Sequence, residues 1–317
     1  MNKQLFNINF RDDEIEEYFK ILSSNFPKFL MPYVQTNTMQ RLADISYFCA
    51  MENGNPNVYK FKYPVSRLDH SISTALMIWN FTYSKEQTLA ALFHDARTPA
   101  FSHVIDYMNE DYIEQESTEL GLEFTLKQDE ELLNLLKSDG IKLDKVCAYK
   151  EYSLVDNDRP KLCADRLDGI FLPSLVWSQS TSIEEIKSLY NNLLVKENED
   201  GNLEFSFQDI HCADRIVELN DEINVLTNSD EDFLSMTSLA AIVKELINKG
   251  LFKYEDLFTL TDQNVFLILF KEMAVDKDLM KQYTQFKTFE GLSASGKPEL
   301  KVRKIDPLIL KIRYSSL

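Results

Sequence analysis

The chain has 317 residues, and 34 basic against 51 acidic side chains leave a formal net charge of −17. Eight Gly and nine Pro are too few for an all-β fold with a turn every ~8–12 residues, and 44% hydrophobic residues exclude a disordered chain. The acidic excess repels phosphate backbones and anionic lipid surfaces, which excludes a sequence-independent nucleic-acid or membrane-surface role.

Residues 13–25 and 38–51 carry apolar side chains at helical spacing, and Asn53-Gly54-Asn55-Pro56-Asn57 breaks the second run. Residues 58–65 alternate aromatic and aliphatic side chains with lysine and read as a short extended excursion. A helix over about 69–83 follows. Ser84 and Gln87 form a capping box for the next helix, which Pro99 bounds, so His94 and Asp95 fall in its last turn. Further helices are expected at 102–109, 113–123, 128–138 and 158–171. Residues 195–207 read as a hairpin turning at Asp200-Gly201. Helical patterns resume at 208–226, 231–249 and 263–273. Alternation over 299–305 suits a strand, and residues 308–314 complete a terminal hairpin. The pattern predicts an all-α fold with small β-hairpins: a helical core over 1–180 and a mostly helical carboxy-terminal subdomain over 181–317.

Residues 1–13 lack the apolar stretch of a signal peptide, and the longest apolar run, 265–270, is too short to span a bilayer. A cytosolic protein is expected. Cys49, Cys147, Cys163 and Cys212 lie far apart with no C-x-x-C spacing and read as reduced core thiols.

Three of the four histidines, His70, His94 and His103, fall within about a tenth of the chain. A divalent first-row metal takes neutral imidazole nitrogens and ionised carboxylate oxygens, and the adjacent His94-Asp95 offers one of each from a single helix end. His70 can add a second imidazole, and an aspartate from a later helix can close the set. His211 has no companion at ligand spacing and reads as structural.

Arg67-Leu68-Asp69-His70-Ser71, then Leu92-Phe93-His94-Asp95, then Cys163-Ala164-Asp165-Arg166-Leu167-Asp168 together resemble the H…HD…D signature of the HD-domain metal-dependent phosphohydrolases. Val34-Gln35-Thr36, Gln40-Arg41-Leu42 and Pro99-Ala100-Phe101-Ser102-His103-Val104-Ile105-Asp106 are similar to the branch containing the deoxynucleoside triphosphate triphosphohydrolases. The resemblance covers roughly residues 30–175. It implies an HD-type helical core in which His70, His94, Asp95 and Asp165 hold one divalent ion (Mn, Fe, Mg, Ni or Zn). It further implies that Arg67, Arg41 and His103 meet the substrate and that Asp106 orients catalytic side chains. Arg97 is a candidate for a second phosphate or a substrate carboxylate.

The family pattern places histidines where this chain has Thr98 and Ile113, which removes the usual proton donor and leaves Asp106, Glu114 and His103 as candidates for that role. The expected activity is single-metal hydrolysis of a nucleotide or related small phosphoester, without nucleic-acid or membrane partners. The alternative is a catalytically weak sensor or regulatory protein that keeps the same pocket. The resemblance also favours self-association into a homo-oligomer.

Overall fold

The computed structural model describes residues 12–118 and 120–316, so the reading of residues 1–13 falls almost wholly outside the described part. Asp12 accepts the Glu14 amide at 2.8 Å and opens the helix Asp13–Leu22, whose first turn carries Asp13, Glu14 and Glu16. Ile15, Tyr18, Phe19 and Leu22 form its buried stripe at helical spacing. The expected 38–51 helix is much shorter. Asn37–Arg41 runs only into a 3-10 turn, Leu42–Asp44, and Cys49 and Ala50 take positive φ values of 57° and 61° that no helix accommodates. Residues 58–65 are irregular rather than paired as a strand.

The helix Arg67–Thr82 lies at the centre. Asp69 accepts the Ser66 N–H at 2.7 Å while the Ser66 hydroxyl accepts the Asp69 N–H at 3.2 Å, a capping box that starts the helix two residues before the expected position. The helix is buried on nearly every side, so its small polar residues bond to its own backbone: Ser73 and Thr74 donate to the His70 carbonyl at 2.8 and 2.6 Å. The next helix, Lys85–Phe93, packs against it and starts at Ser84, whose hydroxyl accepts the Gln87 N–H at 3.3 Å; only this half of the expected box forms.

Two expected helices start late because side chains capture the backbone first. The Asp111 carboxylate accepts the N–H groups of Glu114, Gln115, Glu116 and Ser117 at 2.9–3.2 Å, so helix begins only at Leu122. The Asn157 amide donates to the Ser153 and Leu162 carbonyls, and Arg166 reaches back to the Asn157 carbonyl at 2.8 Å. The third core helix therefore spans Ala164–Val176 rather than 158–171.

The helices Ile210–Thr227, Asp230–Asn248 and Asp262–Met273 match their expected positions; Ile183–Asn191 and Lys277–Thr288 were not foreseen. The 195–207 hairpin forms, and the terminal one is a tighter hairpin within 308–313 rather than a pairing with 299–305; the two merge into one four-stranded sheet. Its order is β1 (Leu193–Glu197), β2 (Leu203–Phe207), β3 (Leu308–Ile309) and β4 (Ile312–Arg313), with Ser206 opposite Leu308 in a parallel β2–β3 pair. The fold is thus mainly helical with one small sheet. The strand expected at 299–305 is absent, because this segment spends its donors on the body: Lys301 N–H on the Tyr112 carbonyl, Arg303 N–H on Asn224 Oδ1, and Asp306 N–H on the Pro160 carbonyl. Fully buried Glu204 accepts Arg313 Nη1 and Nη2 at 2.6 and 2.7 Å and the Leu162 N–H at 3.1 Å. The terminal hairpin thereby anchors the loop that leads into the Ala164–Val176 helix. Among the described residues, no helix is long and apolar enough to cross a membrane.

Candidate metal centre and substrate cavity

Three helix ends bring four side chains together. His70 comes from the first turn of the Arg67–Thr82 helix, His94 and Asp95 from the end of Lys85–Phe93, and Asp165 from the start of Ala164–Val176. His70 Nε2 lies 3.2 Å from His94 Nε2 and 3.0 Å from Asp165 Oδ1; His94 Nε2 lies 3.6 Å from the same oxygen. Asp95 Oδ2 stands 3.7 and 3.8 Å from the two imidazole nitrogens.

The opposite ring nitrogens determine what this cluster presents. His70 Nδ1 donates to Asp168 Oδ2 at 2.6 Å, and His94 Nδ1 donates to the Ala91 carbonyl at 2.7 Å. Both partners only accept, so each Nδ1 keeps its proton, and it is the Nε2 of each ring that, once deprotonated, turns a lone pair into the cluster. Asp168 is itself held from behind by the Tyr18 hydroxyl at 2.5 Å. His70, His94 and Asp95 each offer a ligand atom within 4.8 Å of the others, as a metal ion requires, and Asp165, which groups with Asp156 and Cys163, approaches the two imidazoles from the other side. Burial opposes a charged His70, but Asp165 and Asp168 outweigh it and push the ring up to about 10, so an ion binding here displaces a proton. Burial would raise Asp95, yet His94, Arg67 and His70 hold it well below the usual carboxylate range. A second group of donors, Asp156 and Cys163, adjoins Asp165.

The cluster opens into a cavity of about 260 Å³. Arg67 lies over the Tyr47 ring, 5.2 Å from its centroid, and donates to Asp95 Oδ2 at 3.0 Å and to Ser102 Oγ at 3.1 Å. His103 lines the same cavity, with Nδ1 2.9 Å from Asp106 Oδ2. Asp106 does not line it: this carboxylate is fully buried behind His103 and is closed on its other oxygen by Ser117 at 2.6 Å. Burial, with help from Arg67, outweighs Asp106 and lowers His103.

Three expected contacts are not brought to the cavity. Arg41 is spent on the Ala96, Thr98 and Leu260 carbonyls, where it clamps the turn that follows the His-Asp pair. Arg97 stacks 4.0 Å from the Phe258 centroid and donates to Thr125. Glu114 is exposed on the Asp111 loop and is held there through its backbone, its N–H by Asp111 and its carbonyl by Lys301. Thr98 and Ile113 also lie off the cavity, Ile113 being 54% exposed. Conversely, Arg159, Lys301 and Arg303 line the cavity and were not anticipated, because the loop and strap that carry them are distant in sequence from the histidines. Asp168 carried a readable signal: it sits one helical turn after Asp165, on the same face.

No family model matches the chain. It is 25% identical over 164 residues to the uncharacterized protein YdhJ of Bacillus subtilis, covering 51% of this chain and 48% of that one, so the chain spans about half of that relative's length. It is 24% identical over 295 residues to the metal-dependent phosphohydrolase cns2 of Cordyceps militaris, covering 88% of this chain and 79% of that one. This distant likeness and the converging donor set point to a metal-dependent phosphohydrolase in general terms.

Proposed function

We propose that the chain hydrolyses a nucleotide or related small phosphoester at a single divalent ion held by His70, His94, Asp95 and Asp165, as a cytoplasmic HD-type phosphohydrolase. The observation that carries this reading is the convergence of two Nε2 atoms and two carboxylates, with both Nδ1 positions fixed, at the mouth of a cavity that also holds Arg67 and His103. A bound ion would polarise the phosphoryl oxygen and acidify a water. The chain's own groups supply the rest. Arg67 offers a guanidinium to the phosphoryl oxygens, and Arg159 and Arg303 extend positive charge along the wall. Of the three residues considered as proton donor, His103 alone lines the cavity, with Asp106 fixing its ring. His103 therefore takes the donor role, for which the negative charge of a bound phosphate must raise the ring against the burial that lowers it in the free chain.

The test is a screen of the metal-supplemented protein against nucleoside mono-, di- and triphosphates and cyclic dinucleotides, with products resolved by mass. Release of orthophosphate, pyrophosphate or triphosphate that is lost in Asp165→Ala supports the proposal. Tight nucleotide binding without turnover under any metal would identify a sensor instead.

A further inference from the structure

The cavity has a second polar end that the metal chemistry leaves unused. From His70 a continuous aromatic wall leads away from the cluster. Tyr47 lies 5.0 Å from the His70 ring, Phe48 lies 5.2 Å from Tyr47, Phe61 stacks on Phe48 at 4.4 Å, and Tyr59 stacks on Phe61 at 5.7 Å. Trp177 closes the same end, 5.9 Å from Tyr59 and 5.8 Å from Phe61. Such a wall suits a flat heterocyclic ring, which gains by stacking on aromatic faces.

At the end of this wall sits one carboxylate. Asp232, in the first turn of the Asp230–Asn248 helix, is only 8% exposed and lines the cavity. Its Oδ1 accepts the Tyr59 hydroxyl at 2.7 Å, and no hydrogen bond from the described residues reaches Oδ2. Burial pushes it up to about 6, against the pull of Tyr59, Arg303 and Lys297, so it is mostly ionised at neutral pH. An ionised carboxylate accepts hydrogen bonds and donates none. Oδ2 is open to the cavity, so a donor carried by a ligand can reach it, and a hydrogen bond to a charged group is among the stronger ones.

We propose that Asp232 and Tyr59 form a base-reading subsite, in which Asp232 Oδ2 accepts a hydrogen bond from the exocyclic amino group of a nucleobase held along the Tyr59, Phe61 and Trp177 wall. An exocyclic amine projects beyond the ring and reaches an acceptor at the end of the wall while the ring itself stays stacked. Tyr59 fixes the carboxylate by occupying Oδ1, which leaves Oδ2 to the ligand. This proposal deepens the phosphohydrolase reading and rests on it for the placement of the phosphate, but the base subsite makes its own binding claim.

The test uses nucleosides, which carry no phosphate and so report on this subsite independently of hydrolysis. Calorimetric titration of the full chain compares adenosine with purine riboside, guanosine with inosine, and cytidine with 2-pyrimidinone riboside, each pair differing only in the amine. The structure predicts that for at least one pair the amino member binds about tenfold tighter or more, the scale of a hydrogen bond to a charged group. Asp232→Asn keeps the shape, loses the charge and should cut that ratio to about threefold or less; Tyr59→Phe, which keeps the ring, should also reduce it. Equal binding within every pair, no nucleoside binding at all, or an unchanged ratio in Asp232→Asn would overturn the subsite. Amine-dependent binding without phosphate release from the corresponding nucleotides would leave the subsite standing and refute the phosphohydrolase reading. Turnover without any amine preference would do the reverse.

Discussion

Asp168 lies 2.6 Å from His70 Nδ1 and is fully buried, so a carboxylate outside the donor cluster decides which way one of its members faces. Its other oxygen is held by Tyr18 from the first helix, which ties the orientation of His70 to the packing of Asp13–Leu22 against the central helix. The metal centre is therefore built outward from the core rather than assembled from surface loops.

This dependence gives the first prediction. Asp168→Ala should weaken divalent metal binding about 10- to 100-fold, the usual effect of losing a ligand's supporting acceptor, with Asp168→Asn falling between it and the unaltered protein. Competition against a chromogenic chelator measures the affinity. Unchanged affinity in Asp168→Ala, with the fold intact by circular dichroism, would show that Asp168 has no part in orienting His70.

His103 and Asp106 should separate catalysis from metal binding. His103→Ala should lower kcat by about 10²- to 10⁴-fold while leaving metal content unchanged, because the ring lines the cavity but belongs outside the donor cluster. Asp106→Asn should also lower kcat through the loosened ring. Equal loss of metal and activity in His103→Ala would place it among the ligands instead.

His70, His94, Asp95 and Asp165 were legible as a set through the family resemblance of their motifs, and the helix ends that carry the two histidines have local causes. Ser66 and Asp69 set the turn that carries His70, and Ser84 opens the helix that ends at His94. What the sequence did not disclose is governed by competition for the backbone. The alternation at 299–305 resembles a strand because Leu300 is buried, yet the donors of this segment go to Tyr112 and Asn224. The apolar pattern at 113–123 likewise gives way to the Asp111 carboxylate, which takes four successive N–H groups. Lys301 and Arg303 reach the cavity on that misread strap, so spacing near the histidines carried no trace of them. Arg41 and Arg97 show the converse: both lie in or beside recognisable motifs, yet are occupied by carbonyls and by Phe258.

The Arg313–Glu204 pair should behave as a buried ion pair. Glu204 is fully buried, so Arg313→Met should destabilise the protein by about 3–5 kcal/mol by stranding the carboxylate, and adding Glu204→Leu should recover much of that loss. Denaturant melts of the two variants measure both steps. A double variant no better than Arg313→Met would show that the loss comes from Arg313 packing and from its contact with Glu199 rather than from a stranded charge.

Asp262 gives a pH signature away from the metal. Burial pushes its carboxyl up to about 7, against the N–H groups of Ser46 and Phe101 at 2.8 and 2.7 Å. The folded chain then holds a proton that the unfolded chain releases near pH 4, so this group's contribution is complete below about pH 4 and is lost as the pH rises through about 7. Melting curves from pH 5 to 8 should show a steeper fall for the unaltered protein than for Asp262→Asn. The variant starts lower, because its amide nitrogen faces one of the two N–H donors. Parallel curves would contradict a raised Asp262.

The most direct test of the central claim is the metal content of the purified protein and of Asp165→Ala, measured by elemental analysis after equilibration with excess divalent metal and desalting. The structure predicts about one ion per chain in the unaltered protein and a large loss in Asp165→Ala, because removing one of four donors forfeits both a bond and the geometry. Equal occupancy in the two proteins would contradict a metal centre built on His70, His94, Asp95 and Asp165.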